Sequence, residues 1–159
     1  MSIRDIIDNN IWAALEMGYP DVVSFLKQII KDKIIMDMTT VIQMELFSHF
    51  EIDTDEVIRK GREKYLLLVD NIYPVTEEIA MLAGKMRRTS KLKNKKIPKG
   101  PDAMIAATAK IYNIPLVSNN DKDFLWLSRE FDFALINPVK NNEDYTNFQQ
   151  AYKNKRGLI

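Results

Sequence analysis

Cysteine is absent from this sequence of 159 residues. That absence excludes disulfides, thiolate zinc sites, iron–sulfur clusters and a cysteine nucleophile. Histidine is nearly absent as well, with His49 the single one, so a multi-histidine metal site and paired catalytic histidines are excluded too. Long apolar runs are also missing. Stretches such as Ile11–Leu15 fall far short of the roughly 18 residues a membrane span requires. Charged Arg4, Asp5 and Asp8 stand where a signal peptide would be apolar. A cytoplasmic protein with no membrane partner is expected. No repeat of roughly 20 to 50 residues is visible, which removes solenoids and propellers.

What is present suffices for one folded unit. With 46% hydrophobic and 28% charged residues, the chain has the apolar content for a core, and its length is that of a single domain. The net charge of +1 hides a segregation. Lys85, Arg87, Arg88, Lys91, Lys93, Lys95, Lys96 and Lys99 follow one another with no acid between them, and the remainder of the chain is acidic. Such a segment suits a polyanion that must approach carboxylates, and Lys91, Lys93, Lys95 and Lys96 are its candidate RNA-binding residues. The plainer alternative is a solvated loop.

Alternation of apolar and breaker residues sets out the elements. A strand over Ile3–Asp8 closes on an acid and turns at Asn9-Asn10 into a helix broken at Gly18 and Pro20. A second helix runs from Asp21, followed by a strand over Lys33–Met38 and a helix opening at Thr39 or Thr40, both good N-caps. Thr54 is expected to open a helix reaching Leu68. Asn71–Val75 reads as a brief strand, and Thr76 as the cap of a helix entering the basic segment. Gly100-Pro101-Asp102 marks a helix start with a small-residue face. Pro115–Ser118 reads as a strand, Asp121–Glu130 as a short helix and Phe133–Ile136 as a last strand. This alternation predicts a parallel sheet covered by helices on both faces.

In such sheets ligands bind beyond the carboxyl ends of the strands. Asp8 closes the first strand, Glu45 lies in the second turn of a helix that follows a strand, and Asp102 lies at a helix start. Converging carboxylates would favour Mg²⁺ or Mn²⁺, hard cations that prefer oxygen ligands. Taken singly, each acid has an ordinary role: Asp8 as an N-cap, Asp102 near a helix dipole, Glu45 as a half-exposed helical residue.

Several segments together resemble the PIN-domain family of metal-dependent ribonucleases, and in particular the VapC toxins of type II toxin–antitoxin pairs. "RDIIDNNIWAAL" is similar to the family's opening strand and acid, and "TTVIQMELFSHF" to its second motif with a helical Glu. "IPKGPDAMIAATAKIYNIPLVSNNDKDF" is the most specific match, and "FALINP" resembles the closing strand. The resemblance implies a PIN-like three-layer α/β/α fold over residues 1–138. The tail 139–159, with Tyr145, Phe148 and Tyr152 at near-helical spacing, is left as an extra helix packed on its own domain in preference to a second subunit.

The same resemblance implies hydrolysis of RNA phosphodiester bonds by activated water, leaving a 5′-phosphate. It places metal ligands at Asp8, Glu45 and Asp102, with Asn120 or Asp121 completing the site, Asp123 close by, and Asn10 orienting the others. Asn9 departs from the family's usual Thr or Ser, whereas Ser118 keeps the hydroxyl usual before the fourth position. RNA, a cognate antitoxin and a homodimer are the implied partners, and His49 has no catalytic part. Three rivals are a phospho-acceptor receiver domain, a haloacid-dehalogenase-type phosphatase and an inert nucleic-acid-binding or assembly module. The first wants paired acids after the first strand and the second an Asp-x-Asp there, but asparagines follow Asp8. A non-toxin PIN nuclease in RNA processing is the nearest alternative within the family.

Overall fold

The computed structural model describes residues 2–157. Its five strands are β1 (Arg4–Ile7), β2 (Ile35–Thr39), β3 (Ile72–Tyr73), β4 (Leu116–Val117) and β5 (Leu135–Ile136). They form one parallel sheet in the order β3-β2-β1-β4-β5. The helices are α1 (Asn9–Glu16), α2 (Pro20–Lys31), α3 (Thr40–Leu46), α4 (Glu56–Leu68), α5 (Glu77–Leu92), α6 (Gly100–Tyr112), α7 (Asp121–Phe131) and α8 (Asn142–Lys155). The three-layer α/β/α arrangement expected from the sequence is present.

Central placement of β1 follows from its composition. Ile6 and Ile7 are both fully buried, as a strand sandwiched between two helical layers requires. Ile6 sits in register with Asp37 of β2 on one side and Leu116 of β4 on the other. Trp12, Ile42, Ile105 and Phe124 fill the space between sheet and helices with no exposed surface. The Trp12 indole donates to the Ile7 carbonyl at 3.1 Å, which satisfies its buried N–H. In α6, Ala103, Ala106 and Ala107 are fully buried, and these short side chains let α5 pack along it.

Three details depart from the sequence expectation. Asp55 rather than Thr54 caps α4, its carboxylate accepting from the backbone N–H of Val57 and Ile58. An acidic cap leaves two donors of the first turn satisfied, and Glu56 then adds favourable charge at the helix start. The strands are shorter than expected at both sheet margins, with β3 and β5 two residues each. The helix capped by Thr76 enters the basic segment as expected, with Lys85, Arg87, Arg88 and Lys91 on α5 and residues 93–99 forming a connection. Asp37, fully buried in the middle of β2, was not anticipated. It is held by Arg4 at 3.0 Å, the Tyr73 hydroxyl at 2.9 Å and the Asn71 N–H at 3.1 Å, and so ties β1, β2 and β3 together at the sheet end away from the candidate site.

The tail forms α8, whose Tyr145 and Phe148 meet the Tyr19 ring edge-on at 5.0 and 5.2 Å. These contacts lie within the same chain. No helix among the described residues is long and apolar enough to cross a membrane.

Candidate active site

Asp8 is where the chain leaves β1, and it is also the N-cap of α1. Its extended backbone (φ −72, ψ 157) turns one carboxylate oxygen onto the Asn9 N–H at 2.8 Å. The other oxygen accepts from the Ser118 hydroxyl at 2.8 Å. Ser118 immediately follows β4, the strand beside β1, so adjacency in the sheet joins residues far apart in sequence. The same Ser118 oxygen accepts from the Asn10 amide and from the Asn120 backbone N–H, each at 3.1 Å. Buried Ser118 is thus the hub of a small network that holds Asp8 in one orientation.

Burial pushes the Asp8 carboxyl up to about 6, against the two hydrogen bonds that favour its charged form. Glu45, on α3, is raised to about 7, first by burial and then by the charges of Asp8 and Asp102, with Lys99 acting in the opposite sense. Asp102, in the first turn of α6, is also raised, by burial and then by Asp123, against Lys99 and Lys96. Three elements therefore deliver Asp8, Glu45 and Asp102 into one field beyond the carboxyl edge of the sheet. None of the three forms an ion pair among the described residues.

Of the three residues near the fourth position, Asn120, Asp121 and Asp123, Asp123 is the one coupled to another acid of the site. Asp123 couples to Asp102, accepts from the Asn120 amide at 2.8 Å and meets Lys96 Nζ at 2.5 Å. Burial opposes its charge, but Lys96 and Asn120 prevail and leave its pKa lowered. Asp121 turns the other way, its carboxylate accepting from Asn137 at 3.2 Å on the surface. Asn120 supports Asp123 through its side chain and Ser118 through its backbone. A signal for this existed in the sequence: Asn120 is the helix N-cap and Asp123 stands three residues later, the spacing at which a side chain folds back onto a cap.

Of the lysines singled out by charge, Lys93 pairs with Glu130 and Lys96 with Asp123. Lys91 and Lys95 are exposed and make no ion pair among the described residues. His49 accepts from the Glu51 N–H at 3.1 Å and stacks on Phe50, a local turn contact. Asn9, where a hydroxyl was expected, has its side-chain oxygen buried without a donor beside Asp8.

This donor set fits a hard divalent cation in its chemistry: carboxylates whose mutual repulsion Lys96 and Lys99 offset only in part, and an orphaned amide oxygen next to one of them. The set is not drawn tight, since among the described residues no three acids stand close enough together to share one ion.

The fold has solved counterparts. VapBC2 from Rickettsia felis bound to a DNA fragment from their promoter superposes with a TM-score of 0.67 and 18% identity, over 85% of this chain and 98% of that one. FitAcB from Neisseria gonorrhoeae gives 0.69 and 21%, over 86% and 99%. VapBC-1 from nontypeable Haemophilus influenzae gives 0.69 and 23%, over 87% and 100%. No curated protein sequence matches this chain significantly. The PIN domain model matches residues 6–129, a span that contains Asp8, Glu45, Asp102 and Asp123. With most of its length covered by that match, and with the acids of the match gathered at the carboxyl edge of a parallel sheet, the chain belongs to the PIN-domain family, a family of nucleases.

Proposed function

We propose that this protein is a divalent-metal-dependent endoribonuclease, the VapC-like toxin of a toxin–antitoxin pair. The observation that carries the reading is the shared field of Asp8, Glu45 and Asp102, each raised in pKa and none relieved by an ion pair. Carboxylates held together stay partly protonated or attract a cation. PIN domains generally use divalent metal ions, and Mg²⁺ or Mn²⁺ suits an all-oxygen set.

In this reading Asp8, Glu45 and Asp102 hold the ion, with Asp123 as the fourth acid. A bound ion would supply Lewis-acid activation of water and offset charge on the phosphoryl group. The chain's own residues supply position. Ser118 and the Asn9 N–H fix both oxygens of Asp8, and Asn10 and Asn120 fix Ser118, so the first acid cannot rotate out of the site. Glu45, raised to about 7 in the metal-free chain, would give up its proton to take the ion. Exposed Lys91 and Lys95 offer charge to the backbone of a polyanion.

An antitoxin partner is supported by the toxin–antitoxin complexes among the structural counterparts. It is supported also by an apolar trough between α1, α2 and α4, lined by Leu15, Val23, Leu26, Ile30 and Leu68, that would receive an apolar helix face. A homodimer belongs to the same reading, and light scattering of the purified protein tests it.

The deciding experiment is RNA cleavage by Asp102→Asn at matched Mn²⁺ concentration. This change removes a ligand charge and keeps side-chain size. Loss of cleavage with an unchanged circular dichroism spectrum is expected, and full activity would sink the site. Cleavage that persists when the metal is chelated would reject metal dependence.

A further inference from the structure

Residues 93–99, which connect α5 to α6, are anchored at three points. Lys93 pairs with Glu130 of α7, the Arg87 guanidinium donates to the Pro98 carbonyl at 3.0 Å, and between them Lys96 Nζ lies 2.5 Å from Asp123 Oδ1. The outer anchors tie the connection to scaffold groups away from the acids. The middle one reaches the acids themselves.

Asp123 Oδ2 accepts from the Asn120 amide at 2.8 Å, whereas Oδ1 is buried without a hydrogen bond and meets Lys96 as an ion pair alone. The two contacts differ in kind. Asn120 belongs to the same helix start and is fixed by its backbone bond to Ser118. Lys96 enters from solvent, with its side chain 58% exposed against 10% for Asp123. The acid is therefore held in place while its cation rides on a flexible stem. A lysine brings one positive charge and no geometric preference. Asp8, Glu45, Asp102 and Asp123 outnumber the two lysines that act on them, Lys96 and Lys99, and among the described residues only Lys96 is in an ion pair with one of these acids, which makes it the cation that an ion of higher charge would replace.

We propose that Lys96 is a tethered counter-ion of the acidic site: its ammonium holds Asp123 Oδ1 until a divalent cation takes that oxygen, and its departure frees the middle of the 93–99 connection to meet phosphate. The inference rests on the nuclease reading above. It gives one residue two successive duties, as counter-ion of Asp123 before a cation binds and as contact for the polyanion afterwards. Metal binding and substrate binding are coupled as a consequence, because the metal releases a cation that the substrate then uses.

The test is calorimetric titration of the full chain with Mn²⁺, comparing wild type with Lys96→Met, Lys96→Arg, Lys93→Met and Asp102→Asn. An ion pair open to solvent on one side shifts an equilibrium by roughly twofold to fivefold. Lys96→Met is expected to bind Mn²⁺ tighter by that factor. Lys96→Arg, which keeps the pair, should match wild type, and Lys93→Met, which removes the same charge from the same connection, should change affinity much less. Equal or weaker binding by Lys96→Met, or equal tightening by Lys93→Met, would overturn the role of Lys96 while leaving the metal site standing. No heat of binding in wild type and Lys96→Met alike, or binding unaffected by Asp102→Asn, would overturn the metal site and this inference with it.

Discussion

Replacing Asp8 by Asn separates the electrostatic burden of the site from its packing. In the folded chain the Asp8 carboxyl sits at about 6, against an ordinary value of 3.8. Its proton is thus held more tightly in the folded state, and the corresponding stability is fully present below about pH 4 and lost as pH rises through about 6. A carboxyl so placed costs about 3 kcal/mol once ionised, and about 2 kcal/mol of that is still to be lost between about pH 4.5 and pH 8. Asn cannot ionise, so it escapes the loss. It also cannot accept at both oxygens, and the contact to Ser118 or to the Asn9 N–H must break, at about 1 to 3 kcal/mol. That second effect is independent of pH and drops out of the slope. Urea unfolding in the presence of a chelator, run on both proteins from about pH 4.5 to pH 8, should show Asp8→Asn gaining on wild type by about 2 kcal/mol. Glu45 does not cancel, because the Asp8 charge raises it, and losing that charge adds to the gain of Asp8→Asn in the same direction; acid-sensitive groups uncoupled from Asp8 are common to both proteins and cancel. A difference flat with pH would refute the claim that burial, unrelieved by a cation, governs this carboxylate. Saturating Mn²⁺ should reverse the order at the higher pH, because only the acid gains a ligand.

Other consequences follow from the same geometry. Growth arrest is expected on expression of the wild type in a bacterial host and not of Asp8→Asn, and equal growth would favour a role other than a toxin. Replacing Lys91, Lys93, Lys95 and Lys96 by Gln should flatten the salt dependence of RNA binding, with a slope of about −0.7 lost per phosphate contact. Lys91→Gln with Lys95→Gln alone should account for most of the loss in metal-free protein, where the other two are paired, and filter binding at several salt concentrations checks both. Tyr145→Ala should lower stability by about 2 to 4 kcal/mol by opening the contact between α8 and Tyr19. Thermal melting reads that directly, and an unchanged melting temperature would mean that α8 adds nothing to the core.

Reading ahead from sequence succeeded where local chemistry was strong. Gly100-Pro101 marks the start of α6 because proline suits a first helical turn and excludes a longer upstream helix. Asp8 stood out because an acid that ends an apolar strand has few other reasons to be there. Where the outcome depended on direction rather than position, the sequence offered at most the three-residue spacing of Asp123 from its cap Asn120. Asp121 and Asp123 differ by two residues, which on a helix is more than half a turn, and only the placement of α7 decides which one faces Asp102. Asp37 escaped notice for a related reason. Its partners Arg4, Asn71 and Tyr73 are distant in sequence and meet it only once β1, β2 and β3 are aligned. The pairing of Lys96 with Asp123 likewise depends on the path of a connection that no periodicity describes.

The two outermost strands, β3 and β5, are only two residues each. An edge this short presents too little free backbone to template a further strand, and the sheet is thereby insulated from edge-to-edge polymerisation, a standing hazard for parallel sheets exposed during synthesis. The same brevity narrows how anything can recognise this molecule. Recruitment by strand addition is closed, and selection on whatever binds it must act through helical surfaces and the loops at the carboxyl end of the sheet, where sequence is free to vary without endangering the core.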